Sequence, residues 1–256
     1  MMFRLMNEPL ESESVEVYLF STDRDLGKLP VGRKLRKYVR DWFADKEQRT
    51  CEITENGRRL IIMALPEGKK GAASYLESLR TLGVQILNRM QSLRSKDVQL
   101  IALGKADAAV PVLEGMLLTS YRFDKYLKDK KPSFPECLSA PGIDDDDLHY
   151  LLTIAEAVGF SRDLINEPLM YMTASDLSES IREKGKECGF SVDVFNKKKI
   201  ESLKMGGLLA VNKGSVDPPT FSILEWKPKD ASNAKPVVLV GKGVVYDTGG
   251  LSLKPT

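Results

Sequence analysis

The chain has 256 residues, 42% hydrophobic and 29% charged, enough apolar content for a packed core and room for one large or two modest domains. That composition excludes a disordered or fibrous chain. Thirty-eight Lys and Arg stand against 36 Asp and Glu, and a net charge of +2 gives no electrostatic reason to expect nucleic acid or an anionic membrane as partner.

Cys51, Cys137 and Cys188 are too scattered for a disulfide framework and form no Cys-x-x-Cys pair, which fits a reducing, cytoplasmic setting. The acidic N-terminus lacks the long apolar core of a secretory signal. The longest apolar runs, such as 60–65, fall far short of the roughly 18 residues that a membrane helix needs. His149 is the single histidine, so a multi-histidine zinc site is excluded, and a Ser-His-Asp triad is open only through that residue.

In chain order, Val15–Phe20 reads as a first strand. Strands over 52–55 and 59–65 follow, joined by an Asn56-Gly57 turn that predicts a hairpin. Leu76, Leu79, Ile86, Met90 and Leu93 recur at helical spacing, 97–103 reads as a short strand, and 106–120 as a second helix. This pattern predicts a mixed sheet covered by helices. The lysine- and proline-rich stretch 128–135, with Pro141-Gly142 after it, reads as a connection between domains. Asp144 to Asp147 read as the solvated start of a helix over 148–165, where negative charge is favourable, and not as a metal site. His149 reads as an ordinary surface histidine, and Lys197 to Lys199 as a solvated helix face. Thr173 with Asp176 forms a capping box that opens a helix to about Cys188. A strand over 190–195, a short helix over 197–204 and strands over 207–211, 221–226 and 236–240 complete the reading. The last of these is apolar enough for a strand buried on both faces.

The final segment carries the chemistry: Gly241-Lys242-Gly243, then Asp247-Thr248-Gly249-Gly250, then Lys254-Pro255. Glycines let backbone turn sharply and approach a ligand. A lysine at the mouth of a buried strand loses hydration, which frees its neutral amine as ligand or base. An aspartate five residues on can bind metal or pair with that lysine. The segment is not a Walker loop, since G-x-x-x-x-G-K-[ST] is absent. Asp247-Thr248-Gly249 has the form of an aspartic-protease signature, but that chemistry needs a second aspartate. A plain glycine turn with a Lys–Asp pair also fits.

The segment resembles the first metal-binding signature of the M17 family, the leucyl (cytosol) aminopeptidases, in which V-G-K-G leads to D-[ST]-G-G and K-P. Tyr121-Arg122-Phe123-Asp124, Arg162-Asp163-Leu164 with Asn166 and Pro168, and the stretch 206–215 resemble further family segments. Met170, Ala174 and Thr220 depart from residues common in the family. The resemblance implies an α/β fold: a macro-like, mixed-sheet N-terminal domain over 1–140, a linking helix over 141–166, and the first part of an α/β metallo-aminopeptidase domain over 167–256.

It also implies roles. Lys242 and Asp247 would bind two divalent metal ions, zinc or manganese or else magnesium or cobalt, and Lys254 would be catalytic, stabilising the oxyanion. Substrates would be peptides with a free N-terminus, leucine-type residues preferred, and the assembly a hexamer with neither nucleic acid nor membrane as partner. The family's remaining carboxylate ligands, and the arginine that holds a bicarbonate, lie in an N-T-D-A-E-G-R segment that is not among these residues. The isolated chain is therefore expected to be an inactive front portion of such an enzyme. Two alternatives stay open: a non-catalytic α/β binding or assembly module, and a dipeptidase such as a cysteinylglycinase.

Overall fold

Alternate residues of Val15–Phe20 are apolar on both sides: Val17 and Leu19 point into one core, Tyr18 and Phe20 into another, and all four are buried. A strand buried on both faces must lie inside a sheet covered twice. The computed structural model describes residues 3–10, 14–104, 106–130 and 134–244, and the chain divides into two compact units, Met1–Asp163 and Leu164–Thr256.

Unit one is built on six strands: β1 (Arg4–Met6), β2 (Val15–Phe20), β3 (Thr50–Glu55), β4 (Arg58–Ala64), β5 (Asp97–Ala102) and β6 (Cys137–Ser139). Their order is β1-β6-β5-β2-β4-β3, parallel throughout except for β3, which runs antiparallel to β4. The β3–β4 turn is the Asn56-Gly57 pair, with φ of 52° and 80°, the left-handed geometry a two-residue hairpin demands. The expected mixed sheet is therefore present. The connection expected over 128–142 is not a linker throughout, because β6 lies inside it. Cys137 faces Arg4 on one side and Asp97 on the other. Three-residue strands are too short to show a period, so neither β1 nor β6 was legible.

The helices of this unit are α1 (Asp23–Leu26), α2 (Arg33–Phe43), α3 (Ala73–Leu93), α4 (Ala109–Ser120) and α5 (Asp145–Asn166). One face of the sheet packs on α3, α4 and the start of α5 through Leu79, Ile86, Met90, Leu113, Met116 and Leu151. The other packs on α1 and α2 through Leu26 and Val39. Helices α3 and α4 approach so closely that a Cβ on Gly83 would lie 2.1 Å from the Val112 carbonyl oxygen, and one on Gly115 2.2 Å from that of Arg80. Helix α5 begins as the charge pattern predicts: Asp144 Oδ1 accepts the Asp147 N–H at 2.8 Å, and Asp145 Oδ1 accepts from Asn7 at 2.9 Å.

After β2 the buried Asp25 carboxylate gathers the turn. Its Oδ2 accepts the Ser21 and Thr22 amides at 3.1 and 2.9 Å and their hydroxyls at 3.2 and 3.0 Å. Burial alone would raise this carboxyl, but the four hydrogen bonds outweigh it and hold it below the ordinary value.

Unit two contains α6 (Ala174–Cys188), β7 (Ser191–Phe195), α7 (Lys197–Ser202), α8 (Gly206–Asn212) and β8 (Phe221–Glu225). β7 and β8 form a two-stranded antiparallel sheet. Two expectations fail here. The stretch 207–211 is helical, within α8, not a strand. A short all-apolar run carries no period to choose between the two, and its Leu and Ala favour helix. The stretch 236–240 is not a strand and is not buried: Val237 is 82% and Val240 94% exposed. It has the composition for burial on both faces but no ladder partner among the described residues.

Two measurements check this architecture. Replacing Gly115 by Ala in a Trp226→Phe background, with Trp42 as the fluorescent reporter, lowers stability in urea by about 1–3 kcal/mol through overpacking. Gly207→Ala, where a Cβ meets nothing within 4 Å, is neutral or stabilising. Because Asp25 is held below its ordinary value, its stabilisation is present above roughly pH 4 and lost as pH falls through the folded value. Asp25→Asn therefore lowers the urea midpoint at neutral pH and flattens the acid limb of a midpoint-against-pH curve.

Candidate functional site

The lysine loop at 241–244 belongs to unit two, and helix α6 is the element it touches. That helix starts on its capping box. The Thr173 amide and hydroxyl donate to Asp176 Oδ2 at 2.9 and 2.6 Å, and the Asp176 amide returns a bond to Thr173 Oγ1 at 3.4 Å. These bonds from Thr173 hold the Asp176 carboxyl below its usual range. Helix α6 ends at Gly189, whose φ of 77° is the left-handed cap that glycine supplies cheaply.

The same helix is tied to the small sheet by hydroxyls. Ser178 Oγ, buried, lies 2.8 Å from Thr220 Oγ1 and 3.3 Å from Ser222 Oγ, and the Thr220 hydroxyl reaches the Ala174 carbonyl at 3.1 Å. Thr220, which departs from the resembled family, thus joins the approach to β8 to the first turn of α6. Phe195 and Phe221, opposite each other across β7 and β8, bring their rings to 5.8 Å.

Lys242 lies in the exposed stretch 241–244, and a Cβ on neighbouring Gly243 would sit 3.3 Å from Leu177 Cδ2. Leu177 is the contact that sequence reasoning missed; its only signal is its place one residue after the capping box. The desolvation expected for Lys242 is not found, because the stretch before it is exposed. Asp247 and Lys254 lie outside the described residues. Among the described residues no three His, Cys, Asp or Glu side chains gather as a metal cluster.

Other residues singled out by sequence have structural places. Tyr121 and the Arg162-Asp163 pair, 41 and 42 positions apart, meet within unit one. The Tyr121 hydroxyl donates to Asp163 Oδ1 at 2.8 Å, the Arg162 guanidinium lies 5.4 Å from the Tyr121 ring centre, and it donates to the Leu118 carbonyl at 2.5 Å. These residues fasten the end of α4 to α5. His149 is exposed on α5, and Lys197, Lys198 and Lys199 are exposed on α7, as expected. Clefts beside β3 are lined by Glu52 and Arg89, which spend their strongest polar groups on each other at 2.6 and 2.7 Å.

Comparison with known proteins bears on the second unit most directly. A family model described as the cytosol aminopeptidase family, catalytic domain, matches residues 159–256. A probable cytosol aminopeptidase of Chloroherpeton thalassium is 58% identical over 103 residues, covering 40% of this chain and 20% of the relative. One from a Sulfurihydrogenibium species is 29% identical over 268 aligned positions, covering 96% of this chain and 52% of the relative. The chain thus spans between a fifth and about half of the length of such relatives. Among solved structures, a mutant tomato leucine aminopeptidase aligns with a TM-score of 0.66 at 16% identity, over 87% of this chain and 50% of that one. The bottromycin maturation enzyme BotP, in complex with Mn, aligns with a TM-score of 0.63 at 21% identity, over 86% and 46%. Both show a shared fold.

Thr173→Ala removes the side-chain half of the cap and costs about 1 kcal/mol of helix stability. Amide hydrogen exchange at Leu177 is expected to speed up in that variant, and unchanged protection there would show that the cap does not hold the lysine loop's neighbour.

Proposed function

We propose that this chain belongs to the cytosol aminopeptidase family and carries the front part of the active site of a metal-dependent aminopeptidase. The premise is that residues 159–256 match that family's model and that relatives so named align with up to 96% of this chain. The reaction is removal of the N-terminal residue, leucine-type by preference, from peptides with a free amino terminus. One observation carries this reading: Gly241-Lys242-Gly243, Asp247-Thr248-Gly249-Gly250 and Lys254-Pro255 follow one another inside the matched residues 159–256.

Lys242 and Asp247 are the metal ligands of this proposal. An amine nitrogen and a carboxylate oxygen suit zinc or manganese, and magnesium or cobalt accept the same oxygen. The relative named as a Mn complex supports a divalent ion of this kind. Two donors are nevertheless fewer than two ions need, so these residues fit a portion of a two-metal site. Bound ions would lower the pKa of a water and polarise the scissile carbonyl. Lys242 would give up its proton to serve as a ligand, and a divalent ion at the site would itself favour the neutral amine. Lys254 does the opposite: it keeps its proton and donates to the carbonyl oxygen as negative charge grows there. Bicarbonate belongs only to the complete site.

The remaining expectations are part of the same proposal. A hexamer follows from the family resemblance. A cytoplasmic location is supported by three free cysteines and by relatives named cytosol aminopeptidases. No helix among the described residues is long and apolar enough to cross a membrane.

In the protein that carries the whole catalytic domain, Lys254→Ala is expected to lower kcat for a leucyl anilide by about 10²–10³-fold with little change in KM, the signature of a lost oxyanion contact. An unchanged kcat would remove Lys254 from the mechanism. The 256-residue chain alone is expected to release no leucine from the anilide with zinc or manganese added, and metal-dependent release would overturn the view that its site is partial.

A further inference from the structure

Helix α2 concentrates the positive charge of the molecule. From Lys28 to Arg40 the sequence holds six Lys or Arg and no Asp or Glu, so the rest of the chain carries 32 cations against 36 acids. The near-neutral total conceals a basic strip on an otherwise acidic protein. Within α2, Leu35, Val39 and Phe43 face the core beneath the sheet. On its exposed side two rows run along the helix at intervals of three and four residues, which places their members one above another. Arg33, Lys37 and Arg40 form one row; Lys34, Tyr38 and Trp42 form the next. The second row edges the apolar stripe, since Trp42 lies two turns from Leu35, and the exposed Asp41 stands between the rows.

The cations of these rows are differently committed. Arg40 pairs with Asp23 at 3.2 Å, whereas Arg33, Lys34 and Lys37 are exposed and, among the described residues, none lies within 4.0 Å of a carboxylate. Arg33 and Lys34 also sit in the first turn of the helix, where the dipole is already positive and cations are unfavourable. Glu55 offsets part of that cost by accepting the Gly32 amide at 3.0 Å. Tyr38 and Trp42 are 49% and 38% exposed, with ring centres 6.3 Å apart, and the Trp42 indole is fixed by donating to the Thr50 carbonyl at 3.0 Å.

We infer that this face of α2 binds single-stranded nucleic acid, its phosphates along Arg33, Lys34 and Lys37 and its bases against Tyr38 and Trp42. Unpaired cations at Arg33, Lys34 and Lys37 beside an aromatic pair whose indole is fixed match the two components that single strands use, backbone charge and base stacking. An acidic peptide would use the charges but not the rings. An anionic membrane would need an apolar face to insert, and the apolar face of α2 is already spent on the core. The inference is independent of the peptidase site in the other unit, and it replaces the expectation drawn from net charge alone.

The test uses the 256-residue chain carrying Trp226→Phe, which leaves Trp42 as the only tryptophan. Unlabelled oligo(dT) of about 15 nucleotides, near the upper single-strand site size, is titrated at low salt. Saturable quenching of Trp42 is expected, with log K falling against log salt at a slope of about −2, as three phosphate contacts require. Lys34→Ala with Lys37→Ala should weaken binding at least tenfold and reduce the slope by about 1.4. Lys197→Ala with Lys198→Ala, an equal loss of charge on α7, should leave it unchanged. Tyr38→Ala should weaken binding at least fivefold, and Tyr38→Phe should restore it. Circular dichroism on each variant shows that the fold is kept. The inference is overturned by absent quenching, by equal effects of the two lysine pairs, or by no response to Tyr38→Ala. Equally tight binding of polyglutamate, of phosphatidylserine vesicles or of duplex DNA overturns it as well.

Discussion

Everything on one face of the large sheet depends on two helices touching backbone to backbone. α3 and α4 cross where Gly83 and Gly115 present no side chain, and a methyl at either would lie 2.1 to 2.2 Å from a carbonyl oxygen of the other helix. That proximity lets both helices lie on the same side of a mostly parallel sheet and seal Val17, Leu19 and Leu100 from water. With α1 and α2 on the other side, the central strand β2 is covered twice, and its run of four consecutive buried residues becomes favourable. Burying a Val or Leu side chain completely is worth about 1.5–3 kcal/mol, so a misfit at the glycine crossing is felt throughout this core.

The second unit follows a different logic. Its two-stranded sheet is held to α6 by a hydroxyl cluster, Ser178 with Thr220 and Ser222, and by a capping box that needs only local sequence. Such a unit presents apolar side chains, among them Trp226 and the run from Val237 to Val240, that its own described elements do not cover. The chemistry-bearing residues come directly after that run. A lysine changes its proton affinity through burial, neighbouring charges and hydrogen bonds, so the chemistry proposed for Lys242 depends on neighbours as much as on its own identity.

Charge tells a related story about averages. A balance of 38 to 36 describes the whole chain and hides the stretch from Lys28 to Arg40, because Asp and Glu are distributed elsewhere. Only when α2 is seen to bury Val39 and turn Arg33, Lys34, Lys37 and Arg40 outward does the segregation become a surface property. The helix itself was legible, since Leu35, Tyr38, Val39, Trp42 and Phe43 recur at helical spacing. Which of its other side chains stay exposed is decided by the packing of Val39 beneath the sheet.

What the sequence by itself determined were features whose cause lies within a few residues. The Asn56-Gly57 turn requires positive φ at both positions, the Thr173–Asp176 box closes over three residues, and Asp144 caps the helix it precedes. The long periodic helix α3 and the strand β2 belong with them, as does the order of motif residues from Lys242 to Lys254, which falls inside the stretch matched by the cytosol aminopeptidase family model. The tertiary structure alone decided the rest. β1 and β6 exist because β1 pairs with β6 across more than 130 residues and β6 with β5 across 40, and three-residue strands have no stability without that ladder. The apolar run at 236–240 shows the converse: composition makes burial favourable, but a strand forms only where another strand supplies its hydrogen bonds.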